Sequence, residues 1–72
     1  MTGLIARESK TGLVKLTGRT QTQVLRDAEL LAHKVVERVE WHFFPNNEGF
    51  VGPCKELEEM LIAKGIHIVI QR

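Results

Sequence analysis

At 72 residues the chain has room for one domain with one thin core, since typical domains run to about 100–150 residues. An apolar content of 43%, a charged content of 26% and only two prolines exclude a disordered or fibrous chain. The formal net charge of +1 is too small to imply a polyanionic partner by itself, and a single cysteine, Cys54, excludes an internal disulfide or a multi-cysteine metal framework.

No apolar run approaches the roughly 18 residues that a membrane span needs, and Arg7 and Glu8 interrupt the N-terminus before a signal-peptide core could form. The expectation is a cytoplasmic protein with no membrane partner. His33, His42 and His67 have no metal-ligand spacing. The charge is unevenly spread. Residues 1–36 carry Arg7, Lys10, Lys15, Arg19, Arg26 and Lys34 against Glu8, Asp27 and Glu29, whereas residues 37–72 are net acidic. Phosphate binding, if it occurs, belongs to the first half.

In chain order, residues 4–10 read as an extended strand. Thr11-Gly12 has turn chemistry, and residues 13–16 read as a short second strand that would form a hairpin with the first. The apolar period then lengthens. Val24, Ala28, Leu31 and Val35, widened by Leu25 and Ala32, define one face of a helix over about residues 19–34. Thr20 with Gln23 fits a capping box, and Thr17 is an earlier candidate cap.

Val39, Trp41 and Phe43 alternate with Glu40 and His42, as in a strand with one buried face, with Trp41, Phe43 and Phe44 as core or interface aromatics. The run from Pro45 to Gly49 ends it. Pro53 suits the first turn of a second helix, whose core stripe is Cys54, Leu57 and Leu61 beside Met60, with Gly65 as its cap. Residues 66–70 are apolar throughout except His67, which predicts a buried strand covered by helices on both sides. The fold class is therefore α/β: a ββαβαβ chain with a small three-to-four-stranded mixed sheet, two helices and right-handed crossovers, all within a single domain, 1–72.

Chemistry points to Glu8-Ser9-Lys10. Alternate residues of a strand share a face, so Glu8 and Lys10 stand about 6–7 Å apart along it. A carboxylate and an ammonium so placed can hold a divalent metal and orient water or stabilise negative charge. A solvated charge pair has the same spacing.

The run from Ala6 to Gly12, the pair Leu16-Thr17, the helix carrying Gln21 and Gln23, and the strand Val39-Glu40-Trp41-His42-Phe43-Phe44 together resemble the C-terminal half of a restriction-endonuclease-fold domain. This is the PD-(D/E)xK superfamily, in the form found at the ends of bacterial polymorphic toxins. The likeness extends over nearly the whole chain, to the closing run from Gly65 to Ile70. It implies a Mg²⁺-dependent nuclease in which Glu8 and the backbone carbonyl of Ser9 are metal ligands and Lys10 is the water-orienting base. Gln23, or less directly Gln21, would be a helix residue at the site. Lys15, Arg19 and Arg26 would contact nucleic acid.

The family's metal site also takes an aspartate from a preceding strand, and no acidic residue precedes Glu8 here. That implies weak Mg²⁺ binding and an incomplete module that hydrolyses nucleic acid only when another chain or segment completes it. The alternative is a non-catalytic interaction module that homodimerises or docks on a partner through an exposed sheet edge.

Overall fold

The computed structural model describes residues 3–71; Met1 and Thr2, which open the leader reading, and Arg72 lie outside it. The elements are β1 (Ile5–Thr11), β2 (Leu13–Val14), α1 (Gly18–Ala32), β3 (Arg38–Phe44), β4 (Gly52–Pro53), α2 (Lys55–Ala63) and β5 (His67–Ile70). The main sheet has the order β1-β3-β5, with β3 pairing in parallel to both neighbours. That order advances in one direction across the sheet, so two right-handed crossovers carry α1 and α2 to the same face. The core is where they meet it: Val24 of α1, Val39, Trp41 and Phe43 of β3, Leu57 and Leu61 of α2, and Ile66 are all buried.

The expected hairpin, and with it a mixed sheet, is not what forms. Every strand pair among the described residues is parallel. Gly12 alone separates β1 from β2, too short a link for the two-residue turn that reverses a chain. Its φ of +80° bends the strand instead, and its N–H donates to the Phe44 carbonyl at 2.8 Å. Beyond the bend, β2 pairs with β4, Leu13 opposite Gly52 and Val14 opposite Pro53. The two-stranded sheet thus continues the β1–β3 direction past a loop in which the Asn46 carboxamide oxygen accepts from the Glu48 and Phe50 amides.

The position of β5 is a second correction. It is an edge strand with helices on one side only, so Ile68, Val69 and Ile70 are half-buried and His67 is exposed. An apolar run reads identically for a strand covered on both faces and for a short edge strand. Phe44 is also exposed, pointing to the helix-free face.

Local signals set the helix ends. The Thr17 hydroxyl accepts from the Thr20 amide at 3.2 Å, so Thr17 is the cap of α1 and Thr20 lies buried inside the first turn. Val35 falls past the end of α1 and is exposed, as is Leu25, so the buried stripe is narrower than its apolar residues suggest. Pro53 lies in β4, before the Cys54 cap of α2, and Cys54 is half-buried against the core.

Both helices close with the same pair of bonds. Gly65 and Ile66 donate to the carbonyls of Ile62 and Leu61, and Lys34 and Val35 donate to those of Leu31 and Leu30. The pivot of this motif is left-handed: φ is 77° at Gly65 and 57° at Lys34. A side chain at such a position costs about 1 kcal/mol against glycine, partly offset by the greater freedom of glycine in the unfolded chain. Lys34→Gly is therefore expected to stabilise the protein by about 0.5 kcal/mol, read as a thermal midpoint raised by a few degrees.

Candidate functional site

In the β1–β3 register Glu8 lies beside Trp41 and Lys10 beside Phe43, which places both charged side chains on the helix-covered face. They sit at its margin, because β1 is an edge strand. The Lys10 ammonium donates to the Gln23 side-chain oxygen at 2.6 Å and lies 3.4 Å from Glu8 Oε2. It also stands 5.5 Å from the centre of the Trp41 ring, within range of a cation–π attraction. The structure thus brings together Glu8, Lys10 and Gln23, the last thirteen positions beyond Lys10.

One turn along α1 from Gln23, the Asp27 carboxylate accepts from the Trp41 indole N–H at 2.8 Å. By its neighbours in sequence Asp27 reads as a helix-surface charge, paired with Arg26 or Lys34 or facing water. No local pattern shows that it serves a fully buried tryptophan fourteen residues away.

The other expected site residues are more loosely placed. Arg19 and Arg26 are exposed and lie at helical spacings of four and three from Gln23, on its flank of α1. Lys15 is exposed in the connection from β2 to α1, and Gln21 lies on another side of that helix. The Ser9 side chain points to the helix-free face. The backbone bonds of Leu4 and Gly12 run toward β3, so alternation turns the peptide groups of Ile5, Arg7, Ser9 and Thr11 to the outer edge. The Ser9 carbonyl is therefore edge-facing.

This donor set does not by itself fit Mg²⁺. Among the described residues no group of three or more His, Cys, Asp or Glu side chains converges as a metal site. The edge offers the Glu8 carboxylate, whose charge the Lys10 ammonium already compensates.

The helix-free face carries a second polar cluster. Glu40 accepts from His42 Nε2 at 2.9 Å and from Arg7 Nε at 3.2 Å and forms an ion pair with Arg38, whose Nε lies 2.8 Å from Oε2, and Gln71 Nε2 lies 3.0 Å from His42 Nδ1. The His42 hydrogen bond, and then the two guanidinium charges, hold the Glu40 carboxyl below the usual glutamate range against the opposing effect of burial. His42 is thus one part of a sheet-surface network.

No protein-family model, curated protein or solved structure matches the chain. No helix among the described residues is long and apolar enough to cross a membrane.

Two outcomes follow from these contacts. Asp27→Ala strands a buried indole N–H and is expected to cost about 1–3 kcal/mol in chemical denaturation, whereas Asp27→Asn keeps an acceptor and costs less. Glu40, with its lowered pKa, adds stability that is complete above the ordinary glutamate value of about 4.3 and is lost as pH falls through the lowered value. The thermal midpoints of wild type and Glu40→Gln should therefore differ at neutral pH and converge in acid.

Proposed function

We propose that the chain is a phosphodiester-binding module of the restriction-endonuclease type, competent for hydrolysis only when a second carboxylate reaches the Glu8–Lys10 edge from another chain or segment. The observation that carries this reading is the convergence of Glu8, Lys10 and Gln23 at the margin of an edge strand. Lys10 is the chemical centre. Its side chain is mostly buried, at 20% exposure, and the ammonium is held by the Gln23 carboxamide, the Glu8 carboxylate and the Trp41 ring. A cation positioned by three neighbours can meet a phosphate oxygen with little further loss of side-chain freedom.

Arg19 and Arg26, along the same flank of α1, and Lys15 extend the positive surface on which a sugar–phosphate backbone would lie. Mg²⁺ belongs to this reading only in the completed assembly, where it would supply Lewis-acid stabilisation of the phosphate. Within this chain, Glu8 orients Lys10, and Gln23 fixes the direction of the ammonium.

A second reading, a docking module without catalysis, is favoured by one observation. The outer edge of the seven-residue strand β1 has no pairing strand among the described residues.

Fluorescence anisotropy with a labelled oligonucleotide, taken through a salt series, separates the two. Phosphate binding should weaken steeply with salt, and Lys15→Ala, Arg19→Ala and Arg26→Ala should each flatten the log–log slope by about 0.9 or less. Plasmid nicking with Mg²⁺ or Mn²⁺, where it occurs, should vanish in Glu8→Ala and in Lys10→Ala. Absence of both nicking and salt-dependent binding in the wild-type chain would leave the docking reading.

A further inference from the structure

We infer that the outer edge of β1 pairs with the β1 edge of a second copy of this chain, antiparallel about a two-fold axis at Ser9. The inference starts from the edge itself. Ile5, Arg7, Ser9 and Thr11 turn their peptide groups outward, so an antiparallel partner must set outward residues opposite outward residues. Symmetric registers that keep most of β1 in the ladder are centred on Arg7, Glu8 or Ser9.

Charge selects among them. Centring on Arg7 sets Arg7 against itself, and centring on Glu8 sets Glu8 against itself. Like charges directly opposite one another are destabilising. Centring on Ser9 places Glu8 opposite Lys10 of the second copy, and Lys10 opposite its Glu8. It also sets Arg7 against Thr11 and the small Ser9 against itself. The next positions outward bring Ile5 toward Leu13 at each end, and both are exposed apolar residues, at 45% and 53%. The pattern that guards the edge against mismatched pairing therefore leaves this register open.

A two-fold axis perpendicular to the sheet keeps the helices of both copies on one face and joins two three-stranded sheets into one. Neighbouring strands lie about 4.8 Å apart, so helices α1 seated above the gap between β1 and β3 in each copy stand about two strand spacings apart, roughly 10 Å, near the 8–10 Å at which helices pack. The two Glu8 positions become diagonal neighbours, about 7–8 Å apart, on the helix-covered face. The second copy thus contributes a carboxylate and an ammonium beside the first copy's Glu8 and Lys10. The pairing stands on edge geometry and charge alone; that it completes the hydrolytic site rests on the function proposed above.

Sedimentation velocity on the full chain tests the pairing, with circular dichroism confirming that each variant is folded. Wild type should dimerise. Glu8→Lys alone and Lys10→Glu alone should each weaken the dimer about tenfold or more, and the double exchange Glu8→Lys/Lys10→Glu should recover most of the loss. In a Cys54→Ser background, Ser9→Cys should form an intermolecular disulfide under mild oxidation, and Thr11→Cys should not. A monomeric wild type, a double exchange no better than the singles, or equal cross-linking at residues 9 and 11 would each overturn the register. Nucleic-acid binding is read separately. A dimer that passes these tests but shows no salt-dependent binding removes the phosphodiester reading and leaves the pairing, whereas binding by a strict monomer does the reverse.

Discussion

Trp41 must bury a large ring and also find a partner for its indole N–H, and the architecture around the candidate site follows from how it does both. The ring lies on the central strand β3, tilted against Phe43 with ring centres 6.3 Å apart and beneath α1. The N–H reaches Asp27, which ties the helix to the sheet at one angular setting. Gln23, one turn earlier, is thereby brought over β1, where its carboxamide takes the Lys10 ammonium. The ring face that Trp41 leaves toward the sheet margin is what Lys10 stands against. A hydrophobic burial problem and a polar site share one residue.

The two faces of the sheet divide the remaining work. On the helix-covered face, β3 supplies Val39, Trp41 and Phe43 to a core that both helices close. On the other face neither helix of the described residues covers the sheet, and the polar residues there satisfy one another. Glu40 is nearly buried at 8% exposure, yet two donors and a further guanidinium surround it, and no buried side-chain polar atom among the described residues lacks a partner. In a chain this small, a sheet layered on one side can be stable only if its open face is chemically satisfied. The Arg7–Glu40–Arg38 arrangement, joined through His42 to Gln71, meets that requirement from β1 across β3 to the residue that follows β5.

A different property of the same sheet bears on function. Its edge strand carries the site, so the most reactive-looking side chains stand where the fold is least closed. Such a position suits a site that another strand completes, and it suits plain docking equally well. Charge order along β1 links the two ideas, since the residues that would meet phosphate also decide which strand register the edge accepts.

Several features were legible in the residues themselves. The alternation of Val39, Trp41 and Phe43 named the buried face of β3, the spacing of Leu57 and Leu61 named that of α2, and Gly65 marked its end, because periodicity and left-handed caps are local properties. Glu8, Lys10 and Gln23 could be nominated from spacing and resemblance. Tertiary structure alone decided the rest. Whether residues 13–14 fold back on β1 or continue past it depends on a parallel partner, β4, that lies nearly forty positions away. Whether the run from Ile66 to Ile70 is central or at an edge depends on how many strands lie beyond it, and Asp27 gained its role only when the crossover set it above Trp41. Sequence determined which faces are apolar and where the chain bends; the order of strands, the sidedness of the layers and the meeting of Lys10 with Gln23 required the parallel crossovers, because contacts between residues far apart in the chain leave no periodic trace in either segment.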